Sequence, residues 1–229
     1  ANQPFNWQVE FPEAFAGGGF NVVIGNPPYG RIKQIKDSKE KASLSKCFGA
    51  TYRYQRGNLN YYKLFLERCY SLLRNGGYFG MIFPTALLGE DSSKVFRKLL
   101  FENAKVLSIL QFPEKTKVFG EVTQDVIILV YGNMKTRADY SFAIKTNIGK
   151  EEIARLAQLK PTMIKRSEIK ELTGEDYRIP VFASPTKEWP ILKKISKYPP
   201  FKGQEGVAPV GVIGEGHLHE TFDKEFMSE

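Results

Sequence analysis

The densest chemistry in this sequence lies in ten consecutive residues, Phe20-Asn21-Val22-Val23-Ile24-Gly25-Asn26-Pro27-Pro28-Tyr29. A proline fixes its own φ at about −65°, lacks an N–H and pushes the residue before it away from helix, so Asn26 and Pro27 are both expected to be extended. The resulting loop is stiff and poor in donors. Two acceptors remain, the side-chain oxygen of Asn26 and the carbonyl of Pro27, and they can converge on one nitrogen that offers two hydrogens. Gripping both hydrogens opposes delocalisation of the nitrogen lone pair and makes the amine more nucleophilic, a preorganised electrostatic effect. Tyr29 adds a π-face, and stacking a base on an aromatic ring is worth about 1–3 kcal/mol. The same residues also read as an ordinary proline turn after a core strand, so the surrounding elements decide.

Val22, Val23 and Ile24 form an apolar run that suits a strand inside a parallel sheet covered on both faces. Ligands in such sheets sit beyond the carboxyl ends of the strands, which is where Asn26 would stand. Before it, Trp7 to Pro12 alternates like a short edge strand or extended lead-in, and Gly17-Gly18-Gly19 reads as a flexible break. Gly30 to Asn58 is a long polar, basic loop with Arg31, Lys33, Arg53 and Arg56, interleaved with Phe48, Tyr52 and Tyr54. That mixture suits a nucleic-acid strand, and equally a solvated lid. Asn60 to Arg74 carries a helical apolar stripe that Asn75-Gly76-Gly77 should end. Strands are expected at Tyr78–Phe83, Val106–Phe112 and Val126–Tyr131, with a helix capped by Asp91 or Ser92 and running to about Asn103. The fold class is therefore α/β, a partial doubly wound sheet.

Phe20 to Tyr29 resembles motif IV of the amino-methyltransferases that use S-adenosylmethionine, above all the adenine-N6 DNA methyltransferases. The elements after it line up in order with the single-chain restriction-modification enzymes related to Eco57I. The resemblance covers roughly the first 130 residues. It implies that Asn26 and Pro27 hold the target amine, with Pro28 and Tyr29 completing the catalytic tetrapeptide. It implies further that Tyr29 and Phe119 take a flipped base between them, and that Phe65, with Asn26, borders the cofactor. Phe65 as plain helix core and Phe119 as a loop anchor remain alternatives.

One departure from the family pattern stands out. The glycine-containing cofactor loop precedes motif IV in the family, and nothing before Phe20 can hold it; Gly214-Glu215-Gly216 is no substitute. The expectation is a fragment, residues 1–134 being the C-terminal half of a catalytic domain, 135–188 a connecting segment and 189–229 the start of a target-recognition domain. Ser141–Ile144 reads as a strand, and Glu151–Leu159 and Trp189–Ile195 as short helices, with Lys165–Asp176 either helix or linker. The missing strands would leave the Phe20 strand at a sheet edge, open to self-association.

The formal net charge of +8 over 229 residues favours an anionic partner, duplex DNA on this reading. Cys47 and Cys69 form no paired motif, which fits reduced thiols in a bacterial or archaeal cytoplasm. No apolar stretch approaches the ~20 residues of a membrane span. His217, His219 and Glu220 lie together, but a metal site needs three or four ligands and no further His or Cys is near, so none is expected. Arg31, Lys33, Arg53 and Arg56 are the candidate DNA contacts. Two other classes compete: a release-factor-type protein glutamine methyltransferase, whose side-chain amide also offers two hydrogens, and a DNA-binding fragment without catalysis.

Overall fold

The computed structural model describes residues 5–30, 36–54, 60–120, 122–136, 138–182 and 184–197. A six-stranded mixed sheet runs in the order β1-β2-β4-β3-β5-β6. Its strands are β1 (Phe20–Gly25), β2 (Leu73–Pro84), β3 (Lys105–Phe112), β4 (Val126–Gly132), β5 (Ser141–Lys145) and β6 (Thr162–Lys165). β1 lies parallel to β2 and β3 parallel to β5, while β4 runs antiparallel to both its neighbours. The carboxyl ends of β1, β2, β3 and β5 therefore share one end of the sheet.

The apolar runs expected to be strands are strands, and the α/β class follows from helices packed on them. Phe79, Met81, Phe83, Ile127, Leu129, Tyr131, Ile109, Phe142 and Ile144 form one fully buried face. Helix α4 (Tyr61–Leu72) meets this face through Tyr62 against Phe83 and Tyr70 against Tyr131, with ring centroids 6.1 Å apart in both pairs. After the short helix α5 (Ala86–Gly89), helix α6 (Lys94–Glu102) meets it through Phe101, set edge-on to Phe142. Helix α8 (Arg166–Thr173) adds the buried Ile169.

The opposite face differs. Val22 is 56% and Ile24 77% exposed, and β1 is the outermost strand. The expectation of a strand covered on both faces is thus corrected: β1 pairs on one side only, and Val22 and Ile24 on it are exposed.

Three local readings also change. Trp7–Glu10 is a helical turn, α1, and not an edge strand; the Gln8 N–H donates to Asn6 Oδ1 (3.0 Å), and α2 (Pro12–Ala16) follows. Trp7, Phe11 and Phe15, spaced by four, all converge on Phe20 with centroids 5.4–5.8 Å apart. The basic segment contains α3 (Ser38–Thr51), started by Asp37 Oδ1, which accepts the N–H groups of Lys39 (2.8 Å) and Glu40 (3.0 Å). Helix α4 ends at Leu72, before the glycines. Gly76, at φ +76°, instead bends the start of β2, where its N–H donates to Asn133 O (2.8 Å) and the Asn133 N–H donates back to Gly77 O (2.7 Å).

Beyond β4, residues 138–182 contribute β5, β6, α7 (Lys150–Ile153) and α8, extending the same sheet. The expected Glu151–Leu159 helix is split into α7 and a 3-10 turn at Leu156–Gln158. Helix α9 (Pro185–Ile195) closes the described region. The chain divides into two compact units, Ala1–Trp189 and Pro190–Glu229, and of the second only residues 190–197 are described.

Candidate active site

Asn26 follows the last residue of β1 at the carboxyl end of the sheet, exposed, while Pro27 beside it is buried. The next turn is fixed from below: the Tyr61 N–H, at the start of α4, donates to Gly30 O (3.0 Å). Asn26, Pro27 and Phe65 line one open cavity of about 500 Å³, with Val22, Ile24 and Trp7 on its walls. Phe65 is 43% exposed although α4 is otherwise well packed, so its ring faces this cavity and not the core.

Tyr29 and Phe119 reach one shared cluster by another route. Both pack against the buried cluster of Phe112, Val126 and Ile148. The Phe119 ring stands perpendicular to Phe112, centroids 5.3 Å apart. Burial pushes the Tyr29 phenol up from 10.0 to about 12. An unfolded chain would ionise this group first, so its neutral form contributes stability that is complete below about pH 10 and is lost as the pH rises towards 12. Tyr29→Phe should therefore flatten part of the alkaline decline in urea-unfolding stability above about pH 10; an unchanged slope would mean the phenol is solvated.

Arg53 is exposed, yet its backbone is anchored. Its N–H donates to Glu67 Oε1, and the Tyr54 N–H donates to Glu67 Oε2 (3.0 Å). Arg31, Lys33 and Arg56 lie outside the described residues, as do His217, His219, Glu220 and the 209–229 segment. Among the described residues no group of three or more His, Cys, Asp or Glu is placed to hold a metal. No helix there is long and apolar enough to cross a membrane.

Sequence reasoning missed Glu67 and Arg68. Arg68 stands one helical turn beyond Phe65 and lines the same cavity, a spacing that was readable once α4 was placed. Glu67 could not be found that way, because its partners lie 13 and 14 residues earlier. Cys69 also borders the cavity; burial lifts its thiol to about 11, so it stays protonated at neutral pH.

A parallel β1–β2 pair with the Asn26-Pro27-Pro28-Tyr29 loop at its carboxyl end, beside an aromatic-walled cavity, places an open site at the edge of an α/β sheet. The chain belongs to the Eco57I restriction-modification methylase family, whose model matches residues 1–119. It is 26% identical over 125 residues to the type II restriction enzyme and methyltransferase RM.Eco57I of Escherichia coli, covering 54% of this chain and 12% of that protein. It is 27% identical over 183 residues to the type II methyltransferase M.HincII of Haemophilus influenzae, covering 80% of this chain and 33% of that one. The chain thus spans a third or less of these relatives. The solved type IIG restriction endonuclease BpuSI superposes with a TM-score of 0.49 at 22% identity, over 69% of this chain and 20% of that one.

Proposed function

We propose that this chain carries the target-amine half of a restriction-modification DNA methyltransferase that acts on adenine N6. The observation that carries this reading is the convergence of Asn26, Pro27 and Phe65 on one cavity, while Tyr29 and Phe119 share one cluster. Residues 1–134 supply this catalytic half. Residues 135–188 connect it onward while lending strands to its sheet, and 189–229 lead into target recognition.

S-adenosylmethionine, when bound, supplies an electrophilic methyl group on a sulfonium. The residues present fit one side of it: the Phe65 ring offers a surface for the adenine, and Asn26 and Pro27 border the end where the methyl must meet the amine. The described residues before β1 form two short helices, α1 and α2, and among them there is no glycine-rich strand-to-helix turn. Tyr29 and Phe119 receive the base once it leaves the duplex and offset part of the unstacking cost. Asn26 Oδ1 and Pro27 O accept the two N6 hydrogens and orient the lone pair. A methyl donor held in this cavity would supply the methyl group to that nitrogen, and the Asn26 and Pro27 oxygens would stabilise the positive charge that develops on it.

Arg31, Lys33, Arg53 and Arg56 are proposed phosphate contacts, in keeping with the charge of +8. Four such contacts predict that log K for duplex DNA falls with log salt at a slope of about −3.6. The exposed edge of β1 is a proposed surface for self-association. The test is methylation by a complete methylase carrying this segment, offered labelled methyl donor with duplex DNA or with a glutamine peptide. N6-methyladenine in the digested duplex is the expected product. Label in the peptide alone would assign the clamp to an amide substrate, and salt-insensitive DNA binding would remove the cationic contacts.

A further inference from the structure

The loop between β3 and β4, which carries Phe119, is closed at its base by two side chains that the reaction does not consume. Gln111, at the carboxyl end of β3, is 1% exposed. Its Nε2 donates to Asp125 Oδ2 (3.0 Å), and its Oε1 accepts the Asn147 N–H (2.8 Å). Asp125 uses its other oxygen for the Glu114 N–H (2.8 Å), on the far side of the loop. The backbones join the same knot: Thr85 N–H donates to Asp125 O (3.0 Å) and Ile148 N–H to Gln111 O (3.1 Å).

We propose that Gln111 and Asp125 are positioning residues, a two-residue clamp that holds the Phe119 loop at a fixed depth opposite Tyr29. The inference rests on the base-slot reading above for its purpose, and on geometry alone for the clamp.

Four chain segments converge here, the ends of β2, β3 and β5 and the start of β4, all at the end of the sheet where Asn26 stands. Phe112 and Val126 immediately flank Gln111 and Asp125 in sequence, and Ile148 follows Asn147. These three apolar residues are the cluster on which Tyr29 and Phe119 rest. The polar clamp and the apolar floor are thus built from the same stretches of backbone. Within the loop, Lys117 and Gly120 adopt positive φ (48° and 61°), a path that favours a defined turn over a free one. Moving the Glu114 end of the loop therefore moves Phe119 relative to a floor that stays in place.

The polarity of the clamp permits an exchange test. Asp125→Asn can place an amide donor against the Gln111 amide donor and should break that bond. Gln111→Glu places two carboxylates together. The double variant Gln111→Glu/Asp125→Asn restores one donor and one acceptor across the pair while leaving acceptors for Asn147 and Glu114. A double-mutant cycle isolates this coupling.

The first readout is amide hydrogen exchange in the 229-residue chain. Each single variant should lower protection at Glu114 and Asn147 by about tenfold, the size expected for one lost or frustrated hydrogen bond. Leu129 in β4 should be unchanged, and the double variant should recover most of the loss. The second readout is titration with 2′-deoxyadenosine, followed by the ring NMR signals of Tyr29 and Phe119. Half-saturation should rise about tenfold in Asp125→Asn and return in the double variant. Unchanged protection in the single variants, or a double variant no better than the worse single, overturns the clamp. Normal protection changes with rings that ignore the nucleoside in the wild-type chain would leave the clamp standing and overturn the base slot.

Discussion

Asn26→Ala should lower methyl transfer to adenine by about 10²–10³-fold, the effect of deleting one preorganised charge-stabilising group. The loss should fall on the single-turnover rate in a complete methylase carrying this segment, with DNA affinity and thermal midpoint nearly unchanged. Three features of the structure lead to that split. Asn26 is exposed, so trimming it opens no cavity in the core. Its neighbour Pro27 is buried and Tyr61 holds Gly30, so the loop keeps its path without the Asn side chain. Arg53, the proposed phosphate contact among the described residues, lies on another segment, its backbone N–H held by Glu67. Asn26→Asp is the informative companion, since it keeps an acceptor but adds a negative charge beside an amine that becomes positive. A variant that turns over at the wild-type rate would remove the Asn26 oxygen from the chemistry.

Gly19→Ala should cost about 3 kcal/mol or more of folding stability, because it combines a disfavoured backbone conformation with overpacking. Gly19 has φ +127°, and a Cβ there would lie 2.5 Å from Leu72 O, 2.8 Å from Arg74 N and 3.0 Å from Leu73 C. All three are backbone atoms at the junction of α4 and β2, and none can swing aside as a side-chain tip would. The strain falls at the entry to β1, so the amides of β1 should lose protection before those of β4. Gly49→Ala is the control: nothing lies within 4 Å of its would-be Cβ, and in helix α3 alanine should be neutral or stabilising by up to about 1 kcal/mol. Urea unfolding of the two variants separates the cases. Equal midpoints would mean that the Gly19 contact relaxes freely.

The legible parts of this chain were those whose signal is local and periodic. Val126–Tyr131 and Val106–Phe112 are unbroken apolar runs, and the spacing of Tyr62, Leu66, Cys69 and Leu72 admits little but a helix. The proposed amine clamp is local in the same sense, since it rests on four adjacent residues. Trp7–Glu10 misled because its alternation of apolar and polar residues imitates a strand, while the spacing of Trp7, Phe11 and Phe15 carried the helical message. Gly17–Gly19 suggested slackness, whereas the structure uses Gly19 for a close approach between backbones, a property of two segments at once. The helix over Ser38–Thr51 has no buried residue, so no apolar stripe announced it. Glu67, Gln111 and Asp125 were invisible for the plainest reason, that their partners lie 11 to 36 residues away and polar side chains in strands and helices give no periodic sign.

The position of β1 carries a kinetic consequence. An outermost strand, held by one ladder, opens at a free energy well below that of global unfolding. Asn26 sits at the end of that ladder, so the lifetime of the proposed amine clamp would be set by how long β1 stays docked, not by how long the molecule stays folded. Any segment that pairs with the free side of β1 would slow this fraying. On the proposed function, such a pairing would couple the persistence of the site to the arrival of its neighbour.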